Sequence, residues 1–194
     1  MLLAIDIGNT NINLGLFRGS RLFRRYGIPT KIKQYKPYLQ KIIKRNKIDD
    51  VIICSVVPAA NKILEKNLRE LLGKSPYIIG KEIKVPVRNL YRKPQEVGPD
   101  RLVNAYAGVV FYGAPLILVD FGTAITFDVI SGNKAYLGGM ILPGLGISLD
   151  ALAERTALLP KTKLEPPKEF IGRDTKSSIL SGIVYGFASL TDSL

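Results

Sequence analysis

Two segments of this chain repeat one pattern, and the repeat constrains the fold more than any other feature. Leu3-Ala4-Ile5-Asp6-Ile7-Gly8-Asn9-Thr10 is answered by Ile117-Leu118-Val119-Asp120-Phe121-Gly122-Thr123. Each is an apolar run ending in Asp, followed by one apolar residue, a Gly and, at the turn, a Thr. The aspartates stand 114 positions apart, at 6 and 120. A second strand-like run follows each copy: Ile12, Leu14 and Leu16 alternate with Asn11, Asn13 and Gly15 in the first, and Ala124 to Ile130 forms the second. Each copy therefore reads as a β-hairpin with polar groups at its tip. Such a tip offers backbone N–H groups, a hydroxyl and a carboxylate. Glycine lets the main chain approach a phosphate because it lacks a Cβ, while the Asp, which repels phosphate, needs a hard bridging cation such as magnesium. One copy alone is ordinary turn chemistry. Two copies predict duplicated halves with a nucleotide in the cleft between them.

The rest of the chain supplies α/β layers around these hairpins. Arg21 to Ile28 reads as a third strand, and Pro37 to Lys47 as a helix with Tyr38, Leu39, Ile42 and Ile43 on one stripe. Val51 to Val57 is a continuous apolar run, as in a strand covered on both sides. Asn61 to Leu72 returns to helical spacing and Gly73 stops it. Lys81 to Val97 reads as an ordered loop or short strand, and Arg101 to Tyr112 as a helix against a sheet. After Gly113-Ala114-Pro115 a second sheet is predicted from Leu116 to Asp120, Ala124 to Ile130 and Ala135 to Leu142. Two helices follow, near Gly146 to Arg155 and Lys176 to Leu190, with a Pro- and Lys-rich loop at Pro160 to Lys168 between them.

Composition then narrows the chemistry. Cys54 is the only cysteine and there is no His, which excludes disulfide scaffolds, Cys or His metal sites and His-based triads. No apolar stretch approaches the ~18 residues of a membrane span, and Asp6 interrupts the N-terminal run too early for a signal peptide, so a cytoplasmic protein with no membrane partner is expected. The net charge of +12 raises the question of nucleic acid. Much of that charge lies between Arg18 and Lys47, alternating with apolar residues as on an amphipathic helix, without the aromatic pattern of a single-strand binder. A solvated basic face and no nucleic-acid partner is the expectation.

Between the hairpins lie Tyr91 and then Glu96-Val97-Gly98-Pro99-Asp100-Arg101, at the start of the predicted helix. Asp100 could simply cap that helix. The adjacent Arg101, a forked donor for carboxylate or phosphate, favours a second reading: Asp100 takes the proton of an attacking hydroxyl and aligns it for phosphoryl transfer. Gly138-Gly139 with Pro143-Gly144 reads as a Gly-rich turn into a helix, suited to close packing against a ligand or only to a plain connection. Asp174 or Thr175, before the last helix, is open to the same choice between N-cap and site residue.

The paired hairpins resemble the superfamily of acetate and sugar kinases, actin and heat-shock chaperone ATPases. That resemblance implies two related ribonuclease H-like α/β domains with a cleft between them, here residues 1–113 and 114–194. The full order of motifs, adding Ser55-Val56-Val57-Pro58, Thr156-Ala157-Leu158-Leu159-Pro160 and Gly172-Arg173-Asp174-Thr175, is similar to the type III pantothenate kinases, also called the Bvg accessory factor family. The resemblance runs over essentially the whole chain. It implies an ATP site shaped by Asp6, Ile7, Gly8, Asn9, Thr10, Asn11, Ile12 and Asn13 with Thr123, and a monovalent cation, potassium or ammonium, on Asp120. It also implies a pantothenate site at Tyr91, Gly98, Pro99, Asp100, Arg101 and Thr175, with Asp100 as base. The product would be 4′-phosphopantothenate, on the way to coenzyme A, and the protein a homodimer with its acceptor site near the subunit interface. Family members continue past the position of Leu194, so an incomplete second domain is expected. The alternatives are a non-catalytic relative that binds nucleotide or pantothenate, and a phosphohydrolase that passes phosphate to water.

Overall fold

The computed structural model describes residues 1–32 and 34–194. It is an α/β fold with two mixed sheets. In the first, β1 (Leu2–Ile7), β2 (Asn11–Arg18) and β3 (Arg21–Pro29) form an antiparallel meander, and β4 (Asp50–Ser55) and β5 (Tyr77–Ile78) extend it in parallel, in the order β3-β2-β1-β4-β5. In the second, β7 (Leu116–Phe121), β8 (Ala124–Ile130) and β9 (Ala135–Pro143) repeat the meander, and the short β6 (Arg88–Asn89) runs parallel to β9.

Period-two alternation decides what faces what. Leu3, Ile5 and Ile7 of β1, with Ile12, Leu14 and Leu16 of β2, point to one face and are buried under helices α1 (Lys36–Ile43) and α2 (Pro58–Leu72) through Leu39, Ile42, Leu64 and Leu68. Asp6, Asn11 and Asn13 consequently stand on the opposite face. Helix α3 (Pro99–Tyr112) packs against β4 of the first sheet and against β7 and β8 of the second. Its Gly108 leaves room for Leu116 and Leu118, since a Cβ there would come within 2.9 Å of Leu118. Asp120, two positions on from Leu118, shares the face that α3 covers. Helices α4 (Leu145–Arg155) and α5 (Thr175–Ser193) pack on each other beyond β9.

The elements begin and end close to the positions read from sequence, with instructive shifts. Helices α2 and α3 start at Pro58 and Pro99, because Pro at the first helical position gives up an N–H that would be unpaired anyway. Gly73 adopts φ 71° and stops α2 as expected. Helix α1 ends at Ile43, short of Lys47, and Tyr38 is 49% exposed instead of joining the buried stripe. The basic stretch from Arg18 to Lys47 is not one amphipathic helix: it contains the end of β2, β3 and α1, with Arg18 and Arg24 over the Phe23 ring at 4.3 and 5.6 Å. Gly138-Gly139 is not a turn. Both residues lie inside β9 beside a register shift at Val129/Ile130, and the turn into α4 is made at Gly144. Among the described residues no helix is long and apolar enough to cross a membrane.

Candidate active site

The two hairpin tips meet. Thr10 Oγ1 lies 2.9 Å from Thr123 Oγ1, a hydrogen bond between residues 113 positions apart. The first tip closes when Gly8 N–H donates to the Asn11 carbonyl (3.0 Å), and Thr30 braces it: its N–H donates to Thr10 O (2.9 Å) and its hydroxyl to Gly8 O (2.6 Å). The second closes through Gly122 N–H to Ala124 O (3.1 Å) and is braced by Gly144 N–H to Thr123 O (3.1 Å). A Cβ at Gly144 would fall 2.4 Å from that carbonyl oxygen, so the brace requires glycine.

Below the tips opens a cleft of about 950 Å³, within the size range of small-molecule sites. Asp6 enters it from β1, Asp120 from β7 and Asp100 from the first turn of α3. Asp100 does not act as the N-cap, a position held by Gly98; its Oδ1 accepts the Arg101 N–H at 2.9 Å, which fixes the carboxylate at the N-terminal end of the helix. The walls of the cleft remove part of the water around Asp6 and Asp120. That burial is the main reason both acids are raised above their ordinary value of 3.8. An Asn13 Nδ2 donor at 3.4 Å opposes the shift at Asp6, while Asp100 and Asp120 add to it; at Asp120, Asp100 and Asp128 add to it. Cys54, beside Asp6 in the β1/β4 register, has its thiol pushed up to about 12 by burial and by Asp6 and Asp100, so it stays protonated.

Carboxylates that repel each other across a polar cleft suit a hard cation. Among the described residues no group of three His, Cys, Asp or Glu side chains could enclose one. The side chains on the cleft wall offer carboxylate and hydroxyl oxygens, the donor chemistry of a hard cation.

The residues expected to form the site divide into four groups. Asp6, Gly8, Asn9, Thr10, Asn11 and Asn13, with Asp100, Asp120 and Thr123, line this cleft. Ile7 and Ile12 are in the same hairpin, but their side chains are fully buried in the core and can offer a ligand only backbone. Tyr91, Gly98, Pro99 and Arg101 do not line it; Tyr91 and Arg101 instead approach the Tyr136 ring, at 6.4 Å between centroids and 5.8 Å from the guanidinium carbon. Arg101 is not the free fork read from sequence: its Nε donates to Asp128 at 2.8 Å and its Nη2 lies 2.6 Å from the same oxygen. Thr175 is elsewhere again, in a groove of about 710 Å³ between α4 and α5 with Arg173 and Leu152. Sequence reasoning missed Asn104 and Asp150 on the cleft wall, and Asp128, the partner of Arg101. Asn104 follows Asp100 by one helical turn, a spacing that could have revealed it.

The profile of the type III pantothenate kinase family matches residues 2–194. The chain belongs to that family. A type III pantothenate kinase of Persephonella marina is 42% identical over 203 residues, covering 100% of this chain and 80% of the relative. One of Finegoldia magna is 43% identical over 201 residues, covering 99% and 77%. Among solved structures, a Baf family protein from Campylobacter jejuni aligns over 98% of this chain and 78% of its own, with TM-score 0.60 and 23% identity. A Sinorhizobium meliloti protein described as a 2-dehydro-3-deoxygalactonokinase aligns over 100% and 81%, with TM-score 0.57 and 13% identity. At those identities the likeness speaks for the fold alone. The family activity is an ATP-dependent kinase reaction on pantothenate in coenzyme A biosynthesis.

Proposed function

We propose that the cleft between the two hairpins is where this type III pantothenate kinase carries out transfer, with Asp100 as the general base. The reading is supported by three carboxylates, Asp6, Asp100 and Asp120, that reach one cleft from three elements, beneath tips joined by Thr10 and Thr123. Gly8 to Asn13 and Thr123 cradle the phosphates of ATP through backbone N–H groups and hydroxyls. Magnesium, bound with the nucleotide, would supply charge neutralisation on the triphosphate, and Asp120 would hold a monovalent cation, potassium or ammonium. Asp6 and Asp120 are the carboxylates that would hold these cations.

Asp100 accepts the proton of the primary hydroxyl of pantothenate as that oxygen bonds to the terminal phosphorus. The bond from phosphorus to the bridging oxygen breaks, and ADP leaves with that oxygen. Its place at the start of α3 keeps the carboxylate oriented before substrate arrives, which is where most of the rate gain in phosphoryl transfer originates. Tyr91, Gly98, Pro99 and Arg101 hold the body of pantothenate behind the reacting hydroxyl. Thr175 belongs to the same acceptor site through a homodimer, in which the groove between α4 and α5 meets the acceptor pocket of the partner. Residues 1–113 and 114–194 form the two halves of the clamp, and the working compartment is the cytoplasm.

Replacement of Asp100 by Asn tests the role of the base. The expected outcome is a kcat lower by about 10²–10⁴-fold with ATP affinity unchanged in calorimetry. Full turnover in that variant removes Asp100 from the mechanism.

A further inference from the structure

We infer that Asp128 is a positioning residue that aims Arg101 at the acceptor, an inference that rests on the acceptor assignment above. Asp128 is 1% exposed, in the middle of β8, on the side where α3 begins. Its carboxylate is surrounded by donors: Arg101 Nε at 2.8 Å, the Tyr136 hydroxyl at 2.7 Å and Thr126 Oγ1 at 3.4 Å. Nε and Nη2 of Arg101 both face the same oxygen, Oδ1, which leaves Nη1 on the far side of the planar guanidinium. A buried ion pair adds little net stability over apolar side chains of similar volume, so stability alone does not account for it. What the pair does fix is direction.

The neighbouring strand is shaped around this pair. A Cβ at Gly139 would fall 2.9 Å from Arg101 Nη2 and 1.7 Å from the Phe127 carbonyl oxygen, so β9 can pass beside the guanidinium only with glycine there. Gly138, at φ 137°, leaves room for the Tyr91 ring, which would touch a Cβ at 3.4 Å. Tyr91 in turn leans on Tyr136, with ring centroids 6.4 Å apart, and Tyr136 carries the hydroxyl that donates to Asp128. Arg101 and Tyr91 thus share one support made of Asp128, Tyr136 and two glycines. Because Arg101 directly follows Asp100, the same anchor also fixes the first turn of α3 against the second sheet.

The test is a double-mutant cycle on the KM values for pantothenate and for ATP, using Asp128→Asn, Arg101→Lys and both together, each confirmed folded by circular dichroism. Each single substitution is expected to raise the pantothenate KM by about 10-fold and to leave the ATP KM within about 2-fold. The double variant is expected to be no worse than Arg101→Lys alone, because Asp128 acts through Arg101. Effects that multiply, a change of both KM values together, or a silent Asp128→Asn beside an effective Arg101→Lys would each overturn the positioning role while leaving the acceptor assignment intact. A silent Arg101→Lys would overturn the acceptor assignment of Arg101 and the positioning role with it. If Asp128→Asn does not fold, Tyr136→Phe replaces it in the cycle. That change removes one donor to Asp128 and is expected to raise the pantothenate KM alone by about 3-fold, and an unchanged value overturns the inference.

Discussion

The two hairpins carry the same chemistry on different supports. Hairpin β1/β2 lies inside its sheet, between β3 and β4, with its apolar face sealed beneath two helices and its tip braced by Thr30, just past the end of β3. Hairpin β7/β8 has β7 as its outer strand among the described residues. Leu116 and Leu118 face α3, but Ile117 and Phe121 on the other side are 52% and 53% exposed. Its tip is braced by the turn into α4 at Gly144. The carboxylates differ in the same sense, since Asp6 has an Asn13 donor at 3.4 Å and Asp120 has no hydrogen-bond partner among the described residues. A site motif can therefore repeat without its scaffold repeating. The first hairpin rests on a self-contained core, whereas the second shares its support with α3, whose Arg101 pairs with Asp128 of β8.

The contrast in support predicts a contrast in stability. Leu64→Ala, at a fully buried position under the first sheet, should lower the unfolding free energy by about 2–5 kcal/mol in urea denaturation. Ile117→Ala on the second sheet should cost only about 0.5 kcal/mol, since half of that side chain already meets water. Equal losses would break the comparison.

A smaller effect of opposite sign is expected at the carboxylates. Burial and like charges raise Asp120, so in the protein without ligand its ionised form is unfavourable, and the native state binds a proton more readily than the unfolded chain. Stability contributed by this group therefore increases as pH falls through the raised value and decreases above it. Asp120→Asn should raise the ligand-free melting temperature near neutral pH by about 1–2 °C, and this gain should fade as the pH is lowered below the ordinary 3.8. Asp6→Asn should gain less, because it weakens the bond from Asn13. A gain that grows on acidification would contradict the assigned cause.

Much of this arrangement was legible in the sequence because its signals are local. The repeated Asp-x-Gly pattern gave both hairpins with polar groups at their tips, and β8 runs over the same Ala124 to Ile130 that were read as a strand. Partners far apart in the chain were not legible. Arg101 beside Asp100 looks like an available fork, and only the pairing of α3 with β8 brings in Asp128, 27 residues later. Gly138-Gly139 looks like a turn, because glycine required by a neighbouring Tyr ring and guanidinium has the same letters as glycine required by a bend. Thr175 was grouped with Asp100 through family likeness, and within one chain the two line different cavities.

If Asp6 and Asp120 act on one phosphate chain through bound cations, as proposed above, their contributions to nucleotide binding are coupled. Calorimetric affinities for magnesium ATP in Asp6→Asn, Asp120→Asn and the double variant test it directly. The account predicts that each single change weakens binding by about 10-fold and that the double falls short of the product of the two by a coupling of at least about 1 kcal/mol. Losses that multiply without coupling would place the two carboxylates on separate ligands and contradict the account.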